Sequence, residues 1–132
     1  MKTAVVYVSR SGHTAAIAEA VAAGAGTKAV SADTPEAVIT EYTDVLIVGG
    51  ALYAYGLDKR LKEYLQSLPA DKIGRAAVFS TSWLSRHALD LMKNILEDKG
   101  IEVLPVTFWC RSKDVSSSRS TAEQFGKHII QD

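Results

Sequence analysis

One cysteine in 132 residues excludes an internal disulfide, and nothing around it resembles a zinc-ligand cluster. Cys110 is therefore expected to be a buried, inert thiol, and a reducing cytoplasm is the expected surroundings. An excess of charge is missing too: Lys+Arg and Asp+Glu stand equal at 15 each, which removes the electrostatic reason to expect nucleic acid or a membrane surface as partner. No apolar run reaches the length of a membrane span, and the run Ala4 to Val8 is too short for a secretory signal core, so no membrane insertion is expected. Repeats and linkers are absent as well, and the length suits a single domain over 1–132 that buries a core without staples.

What is present is an alternation. Three continuous apolar runs, Ala4 to Val8, Val45 to Val48 and Ala76 to Phe79, have the pattern of strands buried on both faces. Each precedes a stretch with helical spacing. Ile17, Ala20, Val21 and Gly24 share one face; Leu57, Leu61, Tyr64, Leu65 and Leu68 share a second; Leu84, Ala88, Leu91, Met92, Ile95 and Leu96 share a third. A short strand near Lys28 to Ser31 and a brief helix near Pro35 to Ile39 follow the first helix. A last strand runs from Ile101 towards Cys110, placed at the sheet edge because Pro105 cannot donate to a ladder. A C-terminal helix carries Ala122, Phe125 and Ile129 on one face, and Ser116, Ser117 and Ser118 before it are expected to form a loop. Five strands alternating with five helices demand an α/β fold, an open doubly wound sheet with helices on both faces. Ligands bind such sheets outside the carboxyl ends of the strands, which directs attention to Ser9 to Thr14, Gly49 to Gly56 and Ser80 to Arg86.

The first of these loops, SRSGHT, has three hydroxyls, a glycine and no carboxylate at the start of a helix. Exposed N–H groups, the positive end of a helix dipole and hydroxyls from Ser9, Ser11 and Thr14 suit an oxyanion, and a carboxylate there would repel it. A plain helix cap from Ser11 or Thr14 is the simpler alternative. No GxxxxGK[ST] lysine reaches for a triphosphate, and no aspartate pair ends the first strand to hold magnesium. GAGTKA, Gly24 to Ala29, fits a GxGxxA string but falls where a helix ends, as a C-cap and turn.

SRSGHT after a first strand, then YTDVLIVGGALYAYGLDKRLKEYL, then GRAAVFSTSW, together resemble the flavodoxin family, whose first loop follows [ST]x[ST]GxT. The resemblance runs from Thr3 to about Trp109. It implies a flavodoxin-like five-stranded parallel sheet in the order 2-1-3-4-5 and non-covalently bound FMN as cofactor. Carried over, Ser9, Arg10, Ser11, Gly12, His13 and Thr14 would hold the phosphate. Ala51, Leu52, Tyr53, Ala54, Tyr55 and Gly56 would pass along one side of the ring, with Tyr53 or Tyr55 as stacking candidate. Thr81, Ser82, Trp83 and Leu84 would pass along the other, with Trp83 as its aromatic; a flat flavin buries large apolar area between such side chains. Gly56 is the candidate flexible joint near the reactive ring nitrogen.

The function implied is one- or two-electron transfer through FMN, exchanged with redox partner proteins or a small-molecule acceptor. Family members that act as mobile carriers are typically acidic, whereas this chain is neutral overall. Two other readings stand beside the carrier. VGGALYAYG also resembles flavodoxin-type protoporphyrinogen oxidases and YVSRSGHT the NAD(P)H quinone oxidoreductases, which would make the chain an FMN-dependent oxidoreductase; a flavodoxin-like interaction module without cofactor is the third.

Overall fold

A computed structural model describes residues 1–10, 12–53, 56–82 and 86–131. The β-branched runs become strands and the helical patterns become helices, in the order β1 (Thr3–Tyr7), α1 (His13–Ala25), β2 (Ala29–Ser31), β3 (Thr43–Gly50), β4 (Leu52–Tyr53), β5 (Gly56–Leu57), α2 (Lys59–Ser67), β6 (Ile73–Ser82), α3 (His87–Asp98), β7 (Phe108–Arg111) and α4 (Val115–Gln131). The main sheet is five-stranded in the order β2-β1-β3-β6-β7, every pairing parallel. Counting only those strands, this is the expected 2-1-3-4-5 order. The two-residue strands β4 and β5 form a separate antiparallel pair.

The inner strands carry continuous apolar runs because each face of the sheet carries its own core. Val5, Val45, Ile47, Ala77 and Phe79 pack towards α1 and α4, while Val6, Leu46, Val48, Ala76 and Val78 pack towards α2 and α3. Every completely buried Leu, Ile or Val contributes roughly 1.5–3 kcal/mol. The α1–α4 contact is unusually close: a Cβ on Gly24 would strike the Glu123 carbonyl, and one on Gly126 would strike the Val21 carbonyl. Glycine at both positions lets the two backbones approach to direct contact. Helix α1 ends as expected at Gly26, whose left-handed backbone (φ 72°) places its N–H within reach of the Ala22 and Ala23 carbonyls.

Several expectations need correction. Among the described residues the sheet is covered by four α-helices, because the piece near Pro35 is a three-residue 3₁₀ turn, Pro35–Ala37. Helix α2 is shorter than its apolar pattern, since Leu57 lies in β5 and Leu68 is the C-cap. Helix α3 starts at His87, and Leu84 lies outside the described residues. The last strand covers only Phe108–Arg111 of the expected Ile101 to Cys110. Upstream of it, Val103 makes one isolated bridge to Ala76 before Pro105 removes a donor and the chain loops out; the ladder resumes where Phe79 meets Phe108. Ser116, Ser117 and Ser118 are the first turn of α4 rather than a loop, because tertiary packing of the buried Val115, Ala122, Phe125 and Ile129 outweighs the weak helix propensity of serine.

Candidate functional site

The carboxyl ends of β1, β3 and β6 bring the three expected loops to one edge of the sheet. Gly12 is the N-cap of α1 in a left-handed conformation (φ 90°), with no side-chain cap and no acidic residue in the first turn. An ideal Cβ at Gly12 would meet nothing within 4 Å. The dipole of a 13-residue helix therefore opens at a first turn without an acidic residue, with open space at Gly12 among the described residues. Ser9 shapes that corner by accepting a hydrogen bond from the Gly12 N–H at 3.0 Å.

Neither simple cap expected from the sequence is what Thr14 does. Its side chain is buried, and its Oγ1 lies 2.6 Å from Oγ1 of Thr81. That bond joins the first turn of α1 to the end of β6, so the first and third loops are held in one frame. Thr81 and Ser82 close β6, both buried. The Ser82 hydroxyl accepts the indole N–H of Trp109 at 2.8 Å, and the Arg86 guanidinium lies 5.9 Å from the centre of the Trp109 ring. Trp109 was not singled out in the sequence; its position next to Ser80 and Ser82 comes from the β6–β7 register, which the disrupted Pro105 stretch conceals. Ser80 Oγ is buried without a hydrogen-bond partner among the described residues.

The second loop is built by the β4–β5 pair. Leu52 faces Leu57 and Tyr53 faces Gly56, while the Asp58 N–H donates to the Ala51 carbonyl at 3.4 Å. Ala51 and Gly56 are half-buried. Gly56 has a positive φ of 156°, and among the described residues an ideal Cβ there would meet nothing within 4 Å. Ser11, Ala54, Tyr55, Trp83 and Leu84 lie outside the described residues, as do the side chains of Leu52 and Tyr53. His13 is exposed at the start of α1.

Arg10 holds the finding that sequence reasoning did not reach. Its Nε–H donates to Oδ2 of Asp58 at 2.7 Å, across 48 positions of chain. Asp58 is completely buried as a side chain, and its Oδ1 caps α2 by accepting the Arg60 backbone N–H at 2.8 Å. Burial pushes the Asp58 carboxyl up, yet the Arg10 hydrogen bond, the Arg60 N–H and both guanidinium charges outweigh that and hold it below the ordinary carboxylate value. Arg60 in turn reaches Asp33 at 2.6 Å. In sequence, Asp58 before KRLKEYL has the look of a routine N-cap, and only the fold reveals its second partner.

Cys110 is buried, and desolvation raises its thiol pKa, in keeping with an inert thiol. Among the described residues no cluster of three metal-ligating side chains occurs, and no helix is long and apolar enough to cross a membrane.

Among the described residues the corner combines the start of α1, the Ser9 hydroxyl and a first helical turn without an acidic residue. The family model of the flavodoxin domain matches residues 4–103. A flavodoxin from the domain Archaea superposes with a TM-score of 0.86 at 21% identity, covering 99% of this chain and 97% of that one. Oxidised flavodoxin 1 from Bacillus cereus gives 0.77 at 23% identity, over 99% and 98%. The flavodiiron core of Flv1 from Synechocystis sp. PCC6803 gives 0.83 at 21% identity, over 99% of this chain but 35% of that protein. No curated protein sequence matches the chain.

Proposed function

Because the chain belongs to the flavodoxin domain family, whose members bind FMN and transfer electrons, we propose that it is an electron carrier in which the three loops at the carboxyl edge of the sheet hold the cofactor. When bound, the flavin supplies the one- and two-electron chemistry; the protein binds, orients and shields it. The phosphate is assigned to Ser9, Arg10, Ser11, Gly12, His13 and Thr14, with Arg10 acting from the side through Asp58. The ring is assigned to Ala51, Leu52, Tyr53, Ala54, Tyr55 and Gly56 on one side and to Thr81, Ser82, Trp83 and Leu84 on the other.

The observation that carries this reading is the left-handed N-cap at Gly12, with no side-chain cap and no acid in the first turn, tied through Thr14 and Thr81 to the end of β6. A positive helix end with no side-chain cap from its N-cap residue and no acid in its first turn favours an anionic group beside it. Thr14 is used instead to fix the distance between the phosphate corner and the ring segment. Cytoplasmic location fits the lone buried thiol.

The test is direct. Purified protein is expected to be yellow, or if colourless to quench FMN fluorescence on titration; no binding at micromolar FMN refutes the proposal. Turnover of NAD(P)H with a quinone, in the absence of any reductase, would replace the carrier with a self-sufficient oxidoreductase.

A further inference from the structure

Resting on the FMN reading, we infer that Asp58 is a positioning residue: through Arg10 it braces the phosphate loop against the exit of the ring loop and so sets the spacing between the two halves of the flavin site. Capping α2 needs only one neutral acceptor, which serine, threonine or asparagine supplies. A carboxylate whose side chain is 0% exposed costs desolvation, so a cap alone does not account for it. Its second oxygen explains the charge. Oδ2 takes the Arg10 Nε–H at 2.7 Å, a charge-assisted bond between the residue following Ser9 and the residue following Leu57.

The brace is anchored at both ends. Asp58 is fixed by the Arg60 N–H at 2.8 Å and by the Arg60 guanidinium, whose Nε lies 3.5 Å from Oδ1. Arg60 is fixed in turn on Asp33, which follows β2. Arg10, with a side chain 54% exposed, is the outer member of the pair. Arg10 thereby acts on the phosphate loop by positioning it, and its charge is matched by Asp58 rather than by the ligand.

The two halves of the pair separate this role from direct phosphate binding, since a phosphate ligand would be lost with Arg10 alone. Asp58→Asn keeps a capping oxygen and removes the charge; Arg10→Gln removes the other half of the pair. With folding verified by circular dichroism, each variant is expected to weaken FMN binding by a similar factor, about fivefold, and the double variant to lose no more than either single one. A loss in Arg10→Gln that Asp58→Asn does not share would make Arg10 a phosphate ligand and overturn the inference. The brace is also read without flavin, by amide hydrogen exchange on the apoprotein. Arg10→Gln is expected to speed exchange across residues 56–62 about tenfold, and Asp58→Asn to do so across residues 8–13. Unchanged protection on the far side of the pair refutes the brace even if FMN binds, whereas wild type that binds no FMN refutes the functional reading alone.

Discussion

Replacing Gly126 by alanine sets two well-known effects against each other. In an exposed helix the change stabilises by about 1 kcal/mol, because alanine loses less backbone entropy. In α4 the added Cβ would overlap the carbonyl oxygen of Val21 in α1, and it would also press on the Ala25 nitrogen at 3.1 Å. Both obstacles are main chain, so no rotamer change relieves them and the helices must separate. Overpacking costs about 1–3 kcal/mol, and the rigid partners place this case at the upper end. Subtracting the propensity gain leaves a net loss of about 2 kcal/mol. For a domain of this size that lowers the melting temperature by roughly 6–10 °C. Urea denaturation of the apoprotein, followed by circular dichroism, measures the free energy, with Gln124→Ala on the exposed face of α4 as control. Gly24→Ala is expected to behave like Gly126→Ala, and the double variant to lose less than the sum, because helices already apart have room for the second methyl. An apoprotein stabilised by Gly126→Ala would refute the close packing and the reasoning built on it.

Three further outcomes are expected. Thr81→Val leaves the buried Thr14 hydroxyl without its 2.6 Å partner and destabilises by about 1–3 kcal/mol, whereas Thr14→Val with Thr81→Val recovers most of the loss; a full additive loss in the double variant counts against the bond. Asp58 is held below its ordinary value of 3.8 in the fold, so its contribution is complete above that pH and disappears as pH falls through the lower folded value. The stability gap between wild type and Asp58→Asn should therefore be constant from neutral pH to about 5 and narrow below 3.8; a gap that widens on acidification is inconsistent with the pair. Native Cys110 is expected to react with a disulfide reagent at least about 100-fold more slowly than the urea-unfolded chain, because burial raises its pKa and hides it; equal rates would place the thiol at the surface.

The parts of this molecule that announce themselves in sequence are those governed by local pattern. Apolar runs with no alternation fix the inner strands, and helical spacing finds α1, α2 and α3 to within a turn. The loops proposed to hold the flavin are visible because glycine and hydroxyl residues sit immediately after strands. What escapes is decided at long range. The Arg10–Asp58 pair spans 48 positions, and each partner alone has an ordinary surface or capping explanation. The β4–β5 pair is too short for any periodicity, and its apolar Leu57 extended the helical pattern of α2 falsely. Trp109 joins Ser82 only after the chain has looped past Pro105, so its partner depends on a register that no local rule supplies.

The glycine crossing of α1 and α4 has a consequence in time as well as in space. Helices α1 and α4, made far apart in time, share one core, with Val21, Ala22 and Ala25 facing a cluster that includes Ala122, Phe125 and Ile129. About ninety residues separate the end of α1 from the start of α4. At synthesis rates of roughly 5–20 residues per second, the apolar face of α1 waits about 5–20 seconds for its cover. Through that interval the nascent chain presents an uncovered alanine and valine stripe, and chaperone contact during translation is expected to concentrate there rather than on the α2 and α3 side, whose helices emerge between the strands they cover.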